Sequence, residues 1–98
     1  MVQKKFRLLA KVSSDNPPAI KPVLDRIVEG KGTVKKTDQG FEIDAELEGE
    51  SPVVLNRTLL SELRRAEKKT RMRSQWTSGN TTEKFFDYAL KATLNTVD

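Results

Sequence analysis

The chain contains no cysteine and no histidine. Without cysteine there is no disulfide, no thiolate nucleophile and no cysteine-ligated zinc site. Without histidine the commonest general base, the commonest metal ligand and the usual physiological pH switch are missing. Most hydrolase, transferase and metalloenzyme mechanisms are left without an obvious means of working, so the expectation is a non-enzymatic protein with no cofactor and no metal. Long apolar runs are also missing. None approaches the roughly 18–20 residues that a membrane span needs. The start, Met-Val-Gln-Lys-Lys-Phe-Arg, is basic, but the apolar stretch after it is short and broken by Lys11, unlike a secretory signal. A cytoplasmic location is the expectation.

Further absences narrow the field. Gly30-Lys31-Gly32 and Gly79-Asn80 match neither a P-loop nor a dinucleotide fingerprint. Asp38, Glu42, Asp44 and Glu46 lack EF-hand spacing, and alternate carboxylates on a flat strand do not converge on an ion. The serines have no histidine to activate them. Asn80-Thr81-Thr82 fits the glycosylation sequon, which a cytoplasmic chain would not use.

What is present is sorted charge. Arg64 to Arg73 holds six basic residues, Arg64, Arg65, Lys68, Lys69, Arg71 and Arg73, against the single acid Glu67. Asp38 to Glu50 holds six acids and no base. Glu42, Asp44, Glu46 and Glu48 alternate with Phe41, Ile43, Ala45 and Leu47, the signature of a strand with one apolar and one anionic face. Ninety-eight residues with 36% hydrophobic and 33% charged content suit one well-hydrated domain. The net charge of +4 mildly favours an anionic partner.

Periodicity supplies the elements. Lys4 to Ser13 alternates as a first strand. Ile20, Val23, Leu24, Ile27 and Val28 form a helical face closed by Gly30 at C′, with the helix starting near Ala19 or Ile20 so that Pro22 falls in its first turn. Thr33 to Thr37 and Phe41 to Glu48 flank Asp38-Gln39-Gly40 as a hairpin. Ser51 and Pro52 start a second helix whose buried stripe is Leu55, Leu59, Leu63 and Ala66. Thr70 to Ser78 reads as a fourth strand, with Trp76 on the core side.

The segment from Thr82 to about Asn95 satisfies two periods. Phe85, Phe86, Tyr88, Ala89, Leu90 and Ala92 share one side of a helical wheel, and this is the preferred reading. Phe86, Tyr88, Leu90, Ala92 and Leu94 also alternate, as in a fifth strand. The expected fold is α+β, a two-layer split βαβ sandwich (ferredoxin-like, βαββαβ) with an additional C-terminal helix. Its strands would lie in the order 4-1-3-2 with two helices on one face.

On the other face, strand one would present Arg7, Leu9 and Lys11 beside Glu42, Asp44 and Glu46 of strand three. An RNA recognition motif needs stacking aromatics there. The fragment Gln39-Gly40-Phe41-Glu42-Ile43 faintly echoes such a motif, but its surface is anionic.

Two functions remain. One is backbone-directed binding of RNA or DNA through phosphate contacts from Arg64, Arg65, Lys68, Lys69, Arg71 and Arg73. The bland reading of the same run is a solvated helix end and a charged strand edge. The other function is a protein-interaction or self-assembling subunit, using an edge strand or the aromatics Trp76, Phe85 and Phe86 as partner contacts.

Overall fold

The structure, a computed structural model, describes residues 4–95, and of Leu94 and Asn95 the backbone only. The first three residues of the basic start therefore lie outside the described residues, as does the side chain of Leu94 in the alternating reading. The order is β1 (Lys4–Ser13), α1 (Pro17–Val28), β2 (Gly32–Lys36), β3 (Gly40–Gly49), α2 (Pro52–Ala66), β4 (Arg71–Ser78), β5 (Thr81–Phe86) and β6 (Ala89–Asn95). All strands join one antiparallel sheet of six, ordered β2-β3-β1-β4-β5-β6.

This corrects the expected fold class. The molecule is a six-strand antiparallel sheet with two helices, not a ferredoxin-like sandwich with a C-terminal helix. The residues assigned to a third helix form β5 and β6, which widen the sheet beyond β4. Two tight turns explain the change. Gly79-Asn80 links Ser78 to its partner Thr81, and Gly79 has φ 59°. Asp87-Tyr88 links Phe86 to its partner Ala89, and Asp87 has φ 55°. A positive φ at the first residue of a two-residue loop suits the twist of a β-hairpin.

Strands β1 and β3 alternate buried and exposed residues along their lengths. Their inward side chains, Phe6, Leu8, Ala10, Val12, Phe41, Ile43, Ala45 and Leu47, meet Ile20, Leu24 and Val28 of α1 and Leu59, Leu60 and Leu63 of α2 in one core. Met72, Trp76 and Phe85 extend that core under α2 toward β5. Each fully buried side chain of this size contributes about 1.5–3 kcal/mol of transfer free energy.

The helix starts follow local chemistry. Ser51 caps α2, its Oγ accepting from the Val54 N–H at 3.2 Å, with Pro52 in the first turn where no N–H is needed. Helix α1 starts earlier than expected, at Pro17. Pro22 therefore lies inside it, exposed, where the freed carbonyl one turn back can reach water. Gly30, φ 69°, takes the left-handed position after the α1 cap residue Glu29.

Polar groups inside the core are paired. Asn56, Thr70 and Ser74 are buried, and among the described residues no buried side-chain nitrogen or oxygen lacks a partner. No helix is long and apolar enough to cross a membrane among the described residues.

Candidate nucleic-acid interface

Both helices lie against the inward face, so the outward face of the sheet is bare. The register arranges its side chains in rows across the strands. One row runs Lys35, Glu42, Lys11, Arg73, Phe86, Ala89. The next runs Thr33, Asp44, Leu9, Gln75, Lys84, Ala92. The acids of this face sit on β3, whereas β4 and β5 present Arg71, Arg73, Gln75, Thr77, Thr82, Lys84 and Phe86.

The acidic strand is answered locally. Arg7 makes a two-pronged contact with Asp44, at 3.2 Å from Nε and 2.9 Å from Nη2. That hydrogen bond holds the Asp44 carboxyl below the usual carboxylate range and raises Arg7. Lys11 is different. It stands opposite Glu42 on one side and opposite Arg73 on the other. Neither Lys11 nor Arg73 forms an ion pair among the described residues, and the same holds for Lys84 and Lys91. Like charges directly opposite on neighbouring strands are destabilising.

Phe86 occupies the middle of this cationic half. The Arg73 and Arg71 guanidinium carbons lie 5.1 and 5.4 Å from its ring centroid. An open hollow of about 650 Å³ runs across the face, lined by Leu9, Gln75 and Phe86 together with Lys11, Arg73 and Lys84. Glu42 and Asp44 line its β3 side.

The six cations singled out in the sequence do not form one patch. Arg64 is 30% exposed and structural: Nε donates to the Thr70 carbonyl at 3.0 Å, Nη2 lies 3.6 Å from Asp87, and the guanidinium sits 5.0 Å over the Tyr88 ring. Arg65 faces Glu62 at 3.7 Å on α2. Lys69 approaches Asp15 at 3.8 Å, and Lys68 has no ion pair among the described residues. Arg64, Lys68, Lys69 and Arg71 line a second cleft together with Asp15 and Asp38. Arg71 pairs with Asp87 at 3.3 Å, and Arg73 alone of the six lines the sheet hollow.

The three expected partner contacts also separate. Trp76 is buried at 1% exposure and Phe85 at 4%, so neither offers surface to a partner. Phe86 is half-buried on the outward face. Of the three, Phe86 alone lies on the outward face; Lys84 and Lys91 fall outside the expected site because the helical reading runs across them. The alternation of Thr82, Lys84 and Phe86 after a glycine turn was the signal available.

The chemistry available here is recognition of anions and flat apolar groups. No cluster of residues able to hold a metal ion occurs among the described residues. Comparison with protein-family models, with curated proteins and with solved structures finds no match for this chain.

Proposed function

We propose that this protein binds the phosphate backbone of RNA or DNA, in the cytoplasm and without catalysing a reaction. The reading rests on one observation above all: Lys11 and Arg73 face each other across β1 and β4 with no carboxylate between them. A like-charge pair is a standing cost in the free protein and an asset once a polyanion lies over it. Lys84 and Lys91 enlarge the same cationic field at the far side of the hollow. Arg73 supplies a planar fork for phosphate oxygens and the lysines supply point charges.

The contact surface differs from the run Arg64 to Arg73 taken as a block. It keeps Arg71 and Arg73 and replaces the helix-end cations with Lys11, Lys84 and Lys91. Four phosphate contacts would give log K against log salt a slope of about −2.8 on a single strand and about −3.6 on B-DNA. Filter binding or fluorescence anisotropy across a salt series tests this. Replacing Arg73 by Ala should weaken binding and reduce the single-strand slope by about 0.7. A flat salt dependence, or no binding at low salt, refutes the reading.

A second reading has its own observation. Strand β6 is the outer edge beyond β5; Leu90 within it and Tyr88 just before it are 48% and 45% exposed. The opposite edge, β2, carries Lys35 and Lys36, charges that discourage strand addition. Self-association through β6 is the alternative role, and sedimentation showing only monomer at high concentration removes it.

A further inference from the structure

We infer that Phe86 with Arg73 forms a stacking site for a nucleobase, so that the favoured ligand is single-stranded nucleic acid with a base turned down onto the sheet. The inference rests on the nucleic-acid reading and specifies how the ligand is held. Among the described residues Phe86 is the aromatic of the outward face; Phe6, Phe41, Trp76 and Phe85 are all in the core.

The ring is half-buried and in register with Arg73, whose guanidinium lies 5.1 Å from its centroid. A guanidinium plane and an aromatic ring are the two surfaces on which proteins stack unpaired bases. Leu9, 39% exposed, gives the hollow a second apolar contact, and the Gln75 amide lies in the row between Leu9 and Lys84. Lys11, Lys84 and Lys91 line the same hollow and put positive charge beside this apolar centre. Bases would thus meet the centre while phosphates meet the rim.

A duplex cannot use the centre, since its bases are stacked within the helix and extruding one costs a few kcal/mol. Acid placement agrees. Glu42 and Asp44 bound the hollow on its β3 side, so the strand's path lies over β4 and β5.

The test compares three ligands of equal length, roughly 12 nucleotides, within the range of usual single-strand site sizes. They are oligothymidylate, an abasic oligomer with the same phosphates, and a duplex. Wild-type protein should bind oligothymidylate about 5- to 150-fold more tightly than the abasic oligomer, the range for one stacked base. Phe86→Leu should remove that difference and leave the salt slope unchanged, because no charge is lost. Phe86→Tyr keeps the ring and should retain the preference. Equal binding of abasic and base-bearing strands overturns the stacking site while leaving backbone binding intact, as does a preference for duplex. Failure of all three ligands to bind removes both proposals.

Discussion

Asn56 sits at 1% exposure where α2, β4 and the β5–β6 turn meet, and truncating it should be among the most damaging single changes in this chain. Its Nδ2 donates to the Asp87 carbonyl at 2.8 Å. Its Oδ1 accepts from Ser74 Oγ and, at 3.2 Å, from Trp76 Nε1. Asn56→Ala leaves Ser74 and Trp76 a bond to each other, also 3.2 Å in the native protein, but leaves the Asp87 carbonyl without its donor. A polar group stranded in this way costs about 1–3 kcal/mol. The lost packing of the amide raises the expected total to roughly 2–4 kcal/mol. For a domain of this size that lowers the melting temperature by on the order of 10–30 °C.

Urea denaturation gives the free energy directly, provided the m-value is unchanged. Asn56→Leu separates the causes, because it restores volume without restoring a donor or acceptor and should remain strongly destabilised. Combining Asn56→Ala with Ser74→Ala should show a coupling energy of about 0.5–3 kcal/mol. A loss below about 0.5 kcal/mol for Asn56→Ala, the range of ordinary surface changes, would refute the claim that this residue ties the widened sheet to the helix.

Asp87 offers a second test, since it combines φ 55° with a carboxylate that accepts from the Met72 N–H at 2.9 Å. Asp87→Ala should cost about 2–4 kcal/mol, from left-handed strain and the lost acceptor, whereas Asp87→Asn should lose about 1 kcal/mol or less in thermal or urea melts. Asp87→Asn also frees Arg71 from its partner at 3.3 Å, so oligonucleotide affinity should rise and the salt slope steepen by about 0.7. A third expectation concerns acid pH. The Arg7 hydrogen bond depresses the Asp44 carboxyl, so its stabilising effect is present above the unfolded value of about 3.9 and is lost as pH falls through the lower folded value. Carboxyl carbon NMR should show the Asp44 midpoint below that figure in wild type and higher in Arg7→Ala; an unmoved midpoint would contradict the pairing.

Where periodicity was unambiguous, the elements were legible. The alternation over Lys4–Ser13 predicts β1 with the bounds found, and the Ser51-Pro52 start of α2 is present with its cap bond. The outward stripe of carboxylates on β3 follows from parity alone, and the pairing of β1 with β3 is the one the expected strand order places side by side. The segment after Thr81 is ambiguous for a physical reason. Its aromatic and aliphatic residues fit both a helical face and a strand, and the turn that decides the matter uses Asp87-Tyr88 rather than a glycine or Asn-Gly pair. Asp87 tolerates the left-handed conformation because Met72, Arg64 and Arg71 hold its carboxylate, and partners so far along the chain leave no local trace. The basic run was visible as composition, but its dispersal was not. Arg64 and Arg65 sit one residue apart on α2 and so point to different sides, one to Thr70 and Asp87, the other to Glu62.

Strand order, rather than net charge, sets the polarity of the outward face. Strand β1 lies between the acidic β3 and the basic β4, so its cations can answer only one neighbour each. Arg7 answers Asp44, opposite a neutral Thr77 on β4. Lys11, two rows up, meets Arg73 on that side. Beyond β1, the face gains Arg71, Arg73, Lys84 and Lys91 while its neutral positions are Gln75, Thr77, Thr82, Phe86, Ala89 and Ala92. The β5–β6 hairpin widens this half of the face, and Asn56 and Asp87 tie that hairpin to the body of the fold. The core knot and the proposed binding face are thus two sides of one turn: the carbonyl and carboxylate of Asp87 point to α2 and β4, and the residue before it, Phe86, presents its ring to the cations.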